Sequence, residues 1–353
     1  MKINKGQFSL STADKLKFDL RRGNGSLFRF AINRVKWHLF PRMHLVPDFP
    51  DHVDIEISTL CNMKCPMCYT TTEEFKKTVP RQFMPFDLFK KIVDECARYN
   101  IYSIRLSLRG ESLIHPYIVS MVAYAKKQGI REISTLTNGL ALTPTLFEQL
   151  LEAGLTWLTI SVDGMDETYE QIRKPARFSD VLTKIKACYR IKQQHHSVHP
   201  VVKIQSIWPA IKDDPTRFYE TFAPYVDLVA SNPLIDYLGK DDDSCISYEE
   251  DFDCPVLYER LVVGSDGSVL LCSNDENGRY ILGNAKKEDL HTIWHGSLIT
   301  QARRLHHMHR GYLEIEPCRH CYLPRQTKSI KEQIGSHEIV VEKYTGRTDE
   351  IGK

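Results

Sequence analysis

The stretch HVDIEISTLCNMKCPMCYT, residues 52–70, decides both the fold and the chemistry that the sequence predicts. Its first half has the alternating period of a β-strand, carried by Val53, Ile55 and Ile57. Its second half packs three cysteines into eight positions: Cys61, Cys65 and Cys68. A closed structural metal site usually has four ligands, so three cysteines in one loop indicate a metal centre with an open position.

Beyond this stretch, strand-like and helix-like segments alternate along the chain. Further strands are predicted, in chain order, at 101–108, 131–139, 155–164, 201–208 and near 226–231. The helical patterns between them cover 86–100, 117–129, 143–154 and 179–192. The third of these helices has clear end signals, since Thr143 offers a capping hydroxyl, Pro144 follows it and Gly154 ends the pattern.

This alternation predicts an α/β fold with a parallel sheet and right-handed crossovers. It leaves open whether the sheet is doubly wound or a barrel, full or partial. In either case, the working face lies at the carboxyl ends of the strands. The unusual segments follow strand ends: the cysteine loop, RGES at 109–112, Asn138, and SVDG at 161–164. We therefore expect these segments to converge on one site.

Three thiolates permit two kinds of centre. With zinc, the fourth position would carry the water of a catalytic site. With iron and sulfur, three thiolates can hold a four-iron cube whose fourth iron is free to bind another molecule. The Cys-x3-Cys-x2-Cys spacing favours the second interpretation. Cys96 lies on the apolar stripe of a predicted helix, and we interpret it as a core residue.

Directly after the first strand of a β/α series, this motif resembles that of the radical SAM enzymes, and the resemblance covers roughly residues 50 to 325. It implies a partial (β/α)6 barrel and a [4Fe–4S] cluster held by Cys61, Cys65 and Cys68. In that family the free iron chelates the amino and carboxylate groups of S-adenosylmethionine. An electron from the reduced cluster cleaves this molecule into methionine and a 5′-deoxyadenosyl radical, which removes a hydrogen atom from the substrate.

The same resemblance implies contacts with S-adenosylmethionine. Gly110 and Glu111 match the end of the family's Gly-Gly-Glu segment, with Arg109 in place of the first glycine. Thr137 and Asn138 resemble the segment near the cofactor. The remaining implied contacts with the ribose and the carboxylate are Ser161, Asp163 and Arg173. The structural alternatives are a helix N-terminal charge for Glu111, a turn residue for Asp163 and a surface ion pair for Arg173.

A second set of four cysteines lies beyond residue 245, where the alternation ends: Cys254, Cys272, Cys318 and Cys321. The first two flank a predicted hairpin with Asp266-Gly267 at its turn, and the last two form a Cys-x2-Cys pair. Four thiolates close a metal site, and their spacing alone permits zinc or a four-iron cluster.

After a radical SAM core, this order of cysteines resembles the auxiliary-cluster domains of the SPASM and Twitch subfamily, in the shorter form with one fully ligated cluster. It is also similar to the radical SAM dehydrogenases that oxidise a hydroxyl of an aminocyclitol. The resemblance implies a second [4Fe–4S] cluster that transfers electrons. It also implies a proton acceptor between the clusters, for which Asp236, Tyr237 and Tyr258 are candidates by position.

We divide the chain into an N-terminal extension at 1–48, a radical SAM core at 49–245, an auxiliary-cluster domain at 246–330 and a tail at 331–353. The extension is basic and aromatic. We predict a helical arm on the protein's own surface, with contact to a membrane or a partner as the alternative. Within this tail, the charged end EKYTGRTDEIGK, residues 342–353, is expected to fray.

Composition restricts the partners and the compartment. The net charge of +2 gives no sign of nucleic acid binding. No apolar run approaches the ~20 residues of a membrane span, and the N-terminus lacks the apolar core of a signal peptide. Ten cysteines in such a chain indicate metal ligands in a reducing compartment, so we predict a cytoplasmic protein.

Three functions compete at this point. The first is a radical SAM dehydrogenase that acts on a small polyol, sugar or aminocyclitol and receives electrons from a flavodoxin or ferredoxin. The second is a peptide-modifying maturase that forms a crosslink, a thioether or an epimer, which a precursor peptide gene next door would favour. The third is a non-catalytic binding module with structural zinc, which iron content would exclude.

Overall fold

The computed structural model describes residues 8–23, 25–235, 246–347 and 350–351. Within them the chain forms one ten-stranded sheet and one two-stranded sheet. The strands of the large sheet are β1 (Phe8–Ser9), β2 (His52–Ile55), β3 (Ser103–Arg105), β4 (Glu132–Thr137), β5 (Trp157–Ser161), β6 (Val201–Ile207), β7 (Leu228–Asn232), β8 (Arg260–Val263), β9 (Ser268–Leu270) and β10 (Ile281–Asn284). The small sheet consists of β11 (Thr327–Ile334) and β12 (His337–Tyr344).

The large sheet is an open, partial barrel. Its strand order is β1-β7-β6-β5-β4-β3-β2-β8-β9-β10, and neighbours from β2 to β7 are parallel. These six strands lie side by side in chain order, whereas a doubly wound sheet reverses its order at a switch point. Because β1 and β10 remain unpaired with each other, the barrel is not closed. The structure thus resolves the predicted alternatives in favour of the partial (β/α)6 barrel.

Helices cover the sheet and form most of the connections. They are α1 (Thr12–Arg22), α2 (Leu27–Leu39), α3 (Glu73–Thr78), α4 (Phe86–Arg98), α5 (Ile118–Lys127), α6 (Pro144–Ala153), α7 (Asp166–Ile172), α8 (Phe178–Gln194), α9 (Pro215–Phe222), α10 (Val256–Glu259), α11 (Leu290–Trp294), α12 (Ser297–His306) and α13 (Glu316–Arg319). None of the helices in the described part of the chain is long and apolar enough to cross a bilayer.

The end signals read from the sequence at α6 are confirmed. Thr143 is the N-cap, and its Oγ1 accepts a hydrogen bond from the Leu146 backbone N–H at 3.1 Å. Pro144 occupies the first turn, where its missing N–H costs no intrahelical bond. Gly154 ends the helix in the left-handed conformation, with φ at 96°.

The hairpin predicted between Cys254 and Cys272 is present, since β8 and β9 pair antiparallel with Gly267 at the turn. The sequence did not predict how this hairpin attaches. β8 pairs in parallel with β2, so the strand that precedes the cysteine loop has the auxiliary region as its other neighbour. The expected boundary at residue 245 therefore does not interrupt the sheet.

The fraying expected for residues 342–353 is wrong at the start of that segment, because Glu342, Lys343 and Tyr344 belong to β12. β11 begins at Thr327, before the expected boundary, and pairs with β12 along its whole length. Ile334 and Val341 are fully buried, and Gly335 has the positive φ of 54° that the turn requires. Alternating apolar residues thus give this charged segment one buried face.

The N-terminal extension lies on the protein's own surface, anchored by α1. Arg22 donates two hydrogen bonds of 2.9 Å to the carboxylate of Glu132 at the start of β4. Its guanidinium also lies 4.3 Å from the ring centre of Trp157. Beside this pair, Lys192 donates to Asp227 at 2.8 Å, and Arg21 pairs with the same carboxylate.

We expect Arg22→Met to destabilise the protein by about 3–5 kcal/mol, because it leaves the buried carboxylate of Glu132 without its cation. The measurement is chemical denaturation of the anaerobically reconstituted protein. Lys331→Met, which breaks the exposed pair with Glu338, is the matched control and should leave the midpoint unchanged. Equal midpoints for the two variants would contradict an anchoring role for Arg22.

Candidate functional site

The predicted site residues lie at the carboxyl ends of β2 to β5. The cysteine loop follows β2, and within it Cys65 is buried while Cys61 and Cys68 are partly exposed. The backbone N–H of Cys68 donates to the carbonyl of Cys65 at 3.0 Å, which fixes the turn between them. Cys68 Sγ also lies 3.0 Å from the Thr70 hydroxyl oxygen. These contacts within the loop fix its backbone, and all three thiols belong to this one short segment.

Gly110 allows the cysteine loop and the segment after β3 to pack closely together. It has φ at 54°, and a Cβ placed on it would lie 2.5 Å from the carbonyl oxygen of Ser58 and 2.6 Å from that of Leu60. The next residue, Glu111, donates its backbone N–H to the Leu60 carbonyl at 2.7 Å. Both the conformation and the close approach of two backbones therefore require glycine at this position.

The Glu111 carboxylate organises the end of β4. Its oxygens accept hydrogen bonds from the Thr137 hydroxyl at 2.7 Å, the Asn138 backbone N–H at 2.7 Å and the Leu113 backbone N–H at 3.0 Å. Burial raises the pKa of Glu111 above its ordinary value, against the effect of these bonds. A carboxylate offers about four lone-pair directions, so these three donors leave capacity for an ammonium group.

Asn138 connects this carboxylate to the cysteine loop. Its side-chain amide donates to Asn62 Oδ1 at 2.7 Å and lies 3.8 Å from Cys61 Sγ. Its Oδ1 accepts from the Leu140 backbone N–H at 2.9 Å, which fixes the amide orientation. Asn62 was not singled out from the sequence, because an asparagine between two cysteines of a loop carries no distinctive signal.

Asp163 and Arg173 form a pair on the other side of the loop. Arg173 Nε donates to Asp163 Oδ2 at 2.7 Å, while Asp163 Oδ1 accepts from the Ile207 backbone N–H at 3.1 Å. Burial opposes the charge of Arg173, but Asp163 and Cys65 outweigh it and raise its pKa above the ordinary value. Ser161, the last residue of β5, is buried just before this pair. The ion pair considered for Arg173 is present, with a buried Asp163 carboxylate and a guanidinium that is only partly exposed.

Arg109 stands where the resembled family has a glycine, and its side chain joins the two halves of the molecule. Its Nε and Nη2 both donate to the Glu56 carboxylate, with 2.6 Å between Nη2 and Oε2. Its Nη1 donates to the Glu276 carbonyl at 2.9 Å. Glu56 also accepts from the Ser265 backbone N–H at 3.1 Å. Glu56 follows β2, whereas Ser265 and Glu276 belong to the auxiliary region. The side chain therefore ties the segment beside Gly110 to that region.

The second set of cysteines surrounds one largely apolar cavity, whose lining includes Cys254, Cys272, Cys318 and Cys321. Three N–H groups point at its sulfurs. The Asn274 backbone N–H lies 3.4 Å from Cys272 Sγ, and its side-chain amide lies 3.7 Å from Cys321 Sγ. The Leu323 backbone N–H lies 3.4 Å from Cys321 Sγ. Hydrogen bonds to cluster sulfurs are one of the factors that set the reduction potential.

Both thiol sets fit iron–sulfur clusters better than single ions. Tetrahedral zinc with Zn–S bonds of about 2.3 Å places its sulfurs about 3.8 Å apart. Among the described residues, no group of three ligand atoms within 4.8 Å of one another includes any of these cysteines. A four-iron cube is wider than a single ion, so it does not require the sulfurs to lie this close together. Burial also raises the pKa of Cys65 and of Cys321 to about 11, so the thiolates need the positive charge that such a centre supplies.

Of the three proton acceptors predicted from the sequence, the structure describes one. Asp236 and Tyr237 lie outside the described residues. Tyr258 is buried, and its hydroxyl lies 2.9 Å from His307 Nε2. Burial raises the pKa of this phenol well above its ordinary value, which keeps it protonated. The sequence reasoning missed Glu276, which no motif marks.

Glu276 lies within the second cysteine set, four residues after Cys272, and its backbone carbonyl accepts a hydrogen bond from Arg109 at 2.9 Å. Its charge acts on the pKa of Tyr69, next to Cys68, and on that of Cys321. The bond to Arg109, the neighbour of Gly110, places the Glu276 backbone where the segment beside the cysteine loop meets the auxiliary region. Burial raises the pKa of Glu276 to about 8.

The profiles of two known families match two separate regions of the chain. The profile of the Radical SAM superfamily matches residues 55–209, from the end of β2 to just beyond β6. The profile of the SPASM domain, described as an iron-sulfur cluster-binding domain, matches residues 254–322 and so spans the second cysteine set. The chain thus carries a radical SAM domain and an iron–sulfur cluster-binding domain, and each matched region contains one of the two cysteine sets.

Among curated proteins, GTP 3',8-cyclase from Chlorobaculum tepidum is 33% identical over 135 residues, which are 37% of this chain and 38% of that protein. The tungsten-containing aldehyde ferredoxin oxidoreductase cofactor-modifying protein from Pyrococcus furiosus is 32% identical over 110 residues, 31% of this chain and 30% of that protein. The chain thus spans well under half the length of these curated relatives, so the likeness concerns a shared region.

Two kinds of solved structure resemble the whole fold. BtrN in complex with AdoMet and 2-DOIA has a TM-score of 0.55 and 18% identity, covering 78% of this chain and 93% of that chain. Streptococcus suis SuiB bound to S-adenosylmethionine has a TM-score of 0.54 and 14% identity, covering 83% of this chain and 77% of that chain. At such identities the likeness concerns the fold, which agrees with the partial barrel and its C-terminal cluster region.

We expect Gly110→Ala to disrupt the cysteine loop, because the new Cβ would overlap two backbone carbonyls. Iron per chain after anaerobic reconstitution should fall from about eight to about four, the content of one four-iron cluster. Gly129→Ala is the matched control, since Gly129 also has a positive φ but a Cβ there meets nothing within 4 Å. Normal iron content in Gly110→Ala would contradict the role of this glycine.

Proposed function

Because the chain belongs to the radical SAM superfamily and carries a C-terminal SPASM domain, we propose that it oxidises a hydroxyl of a small polyol, sugar or aminocyclitol to a carbonyl. The observation that carries this proposal is the second cysteine set. Four protein thiols around one cavity leave no open position for a substrate, so the centre they hold is suited to electron transfer. Oxidation of a radical that is formed at the first site requires such an acceptor.

When bound, the reduced cluster and S-adenosylmethionine supply a 5′-deoxyadenosyl radical that removes a hydrogen atom from the substrate carbon. The substrate then loses the proton of its hydroxyl and one further electron, which leaves a carbon–oxygen double bond. The proton requires a basic side chain between the two sites, and the electron leaves toward the centre held by the second cysteine set. The cycle thus consumes one S-adenosylmethionine and one donor electron for each two-electron oxidation.

The residues around the first site have distinct tasks in this scheme. Cys61, Cys65 and Cys68 hold the cluster. Glu111 has one acceptor direction left for the ammonium group of S-adenosylmethionine, and its other bonds fix Thr137 and Asn138 beside it. The guanidinium of Arg173, held by Asp163, is available to the carboxylate of S-adenosylmethionine, and Ser161, the last residue of β5, would meet its ribose. Gly110 allows these segments to meet.

Arg109 keeps the first site and the second cysteine set at a constant separation. Its bonds to Glu56 and to the Glu276 carbonyl fix the segment beside the cysteine loop against the auxiliary region. Electron transfer between a substrate at the first site and the second centre needs a constant separation, and a buried bidentate pair provides rigidity that a flexible contact would not.

We propose Glu276 as the proton acceptor. It follows Cys272 by four residues, and its backbone carbonyl is bonded to Arg109, which adjoins Gly110 and the cysteine loop, so its backbone lies where the two sites adjoin. Its carboxylate is a better acceptor than Tyr258, whose phenol stays protonated and faces His307. The position of the group relative to both centres, rather than its sequence context, supports this assignment.

The overall fold supports a small substrate. The chain covers 93% of BtrN, whose structure contains AdoMet and 2-DOIA, so little of that protein is without a counterpart here. The first site and the second cysteine set suffice for a reaction on a small molecule. We further propose a flavodoxin or ferredoxin as the electron donor and a cytoplasmic location, because both clusters need a reducing compartment.

We expect Cys272→Ala and Cys318→Ala to separate the two half-reactions. Formation of 5′-deoxyadenosine from S-adenosylmethionine should continue, while carbonyl formation from a panel of polyols, sugars and aminocyclitols should stop. Cys188→Ala, which removes a buried thiol outside both sets, is the control and should retain both activities. Full carbonyl formation in the Cys272 variant would rule out electron acceptance by the second site.

A dependence on pH tests the acceptor. Glu276 must lose its proton before it can act as a base, so carbonyl formation should rise with pH through about 8 and level off above it. Glu276→Gln should reduce this step by about 10²–10⁴-fold and abolish the rise, without stopping 5′-deoxyadenosine formation. The exposed Glu314→Gln should behave like the wild type. An unchanged profile in Glu276→Gln would contradict the assignment.

A second candidate function is modification of a peptide. SuiB bound to its precursor peptide SuiA has the same overall fold, with a TM-score of 0.52 over 79% of this chain. The same clusters could serve to form a crosslink, a thioether or an epimer. A short precursor gene beside this one, together with peptide-dependent S-adenosylmethionine cleavage and no response to any alcohol, would favour this alternative.

A further inference from the structure

The helix α2 presents an apolar stripe to solvent. Phe28, Ile32, Val35 and Leu39 recur at the spacing that places side chains on one helical face, and their exposed fractions are 78%, 41%, 60% and 44%. A surface helix ordinarily turns such a stripe toward the core. Here the stripe faces away from it, so packing within this chain does not account for these residues.

The opposite face of α2 attaches the helix with polar and aromatic groups. Asn33 is buried, and the Arg34 guanidinium lies 4.8 Å from the ring centre of Trp37. The centroids of the Trp37 and His52 rings are 6.0 Å apart, and those of the Phe30 and Tyr102 rings are 6.2 Å apart. The helix is therefore held without its apolar stripe, which remains available to another surface.

The apolar surface continues beyond α2. Of the 17 large hydrophobic side chains that are exposed among the described residues, ten lie between residues 16 and 46. Besides the four of the stripe, they are Leu16, Leu20, Leu27, Met43, Leu45 and Val46. Scattered exposed hydrophobics are ordinary, but a concentration of this kind in one segment marks an interaction site.

Charge indicates what this surface binds. From Gly25 to Pro47 the sequence contains no aspartate or glutamate, whereas it contains Arg29, Arg34, Lys36 and Arg42. Arg29 and Lys36 follow Phe28 and Val35 by one position, so both border the stripe on the same side. Asp51 lies near Lys36, but the helix itself carries cations and no acid along its apolar stripe. Such a face is complementary to a surface with an apolar interior and anionic headgroups.

We infer that α2, with the adjoining segment 43–46, binds the surface of an anionic lipid bilayer. The apolar stripe would enter the boundary between headgroups and acyl chains, while Arg29, Lys36 and Arg42 meet the phosphates. The protein would lie on the bilayer, since no described helix can span it. The N-terminal extension, expected from the sequence to be an arm on the protein's own surface, thus has both an inner and an outer contact.

The position of α2 leaves the active site open in this arrangement. The helix contacts His52, the first residue of β2, and Tyr102, which precedes β3. It therefore lies at the amino ends of strands whose carboxyl ends carry the cysteine loop and Glu111. Bilayer binding would turn the site toward the aqueous phase. The inference does not depend on the proposed oxidation and stands or falls separately.

Cosedimentation of the full-length reconstituted protein with vesicles tests the inference. The probes are phosphatidylcholine alone and phosphatidylcholine with one-quarter phosphatidylglycerol. The wild type should bind the anionic vesicles and release them as salt increases. Phe28→Gln combined with Val35→Gln and Leu39→Gln should weaken binding at least about tenfold, because three apolar side chains no longer enter the bilayer. Unchanged 5′-deoxyadenosine formation in this variant shows that the protein is folded.

The control is Leu298→Gln combined with Met308→Gln and Val340→Gln, three exposed hydrophobics outside the surface, which should bind like the wild type. Arg29→Glu with Lys36→Glu should abolish the preference for anionic vesicles. Absence of wild-type binding, equal loss in both triple variants, or binding that ignores lipid charge would each overturn the inference. So would a wild-type dimer in light scattering that the stripe variant dissociates, which would identify a second copy as the occupant.

Discussion

The buried pair between Arg109 and Glu56 is the constraint on which the rest of the site depends. Glu56 extends from β2, directly before the cysteine loop, and its carboxylate also accepts the Ser265 N–H from the turn after β8. Two charges taken out of water are stable only when both are fully paired, and removing one member of such a pair costs about 3–5 kcal/mol. The pair thus holds three segments together: the loop that binds the first cluster, the segment that begins with Gly110, and the auxiliary region.

This arrangement explains why an arginine is tolerated beside Gly110. The demand for a positive φ and for close approach of two backbones falls on Gly110 alone. Arg109 directs its side chain away from the cofactor segment and toward the auxiliary region, where its third contact is the Glu276 carbonyl. Arg109, which stands where the resembled family has a glycine, thus makes a contact between the barrel and the auxiliary region.

The two thiol sets differ in the number of protein ligands and in their surroundings. Three cysteines in a loop leave one position for S-adenosylmethionine, and the groups around them are the charged Glu111, Asp163 and Arg173. Four cysteines around an apolar cavity leave no such position, and the groups that point at their sulfurs are amide N–H donors. The first environment suits binding of a charged molecule, whereas the second suits a centre whose task is to change its charge by one electron.

The N-terminal extension shows how one helix can meet two demands. α2 is fixed to the barrel through the rings of Trp37 and Phe30, which contact His52 and Tyr102, so its apolar stripe is free for another surface. The site lies at the other ends of the strands. In the proposed arrangement, bilayer binding and chemistry therefore lie at opposite ends of the strands, and a change at one end need not disturb the other.

The sequence by itself determined the features that arise from local spacing. The cysteine triad, the strand–helix alternation, the Thr143–Pro144 start of α6 and the hairpin at Gly267 all depend on residues within a few positions of one another. Only the tertiary structure decided that β8 pairs with β2, that Arg109 joins Glu56 to Glu276, that the C-terminal segment pairs as β11 and β12, and that α2 turns its apolar stripe outward. The physical reason is that these features depend on contacts between distant segments and on which face of an element is covered. Periodicity shows that a helix has an apolar face but not what lies against it.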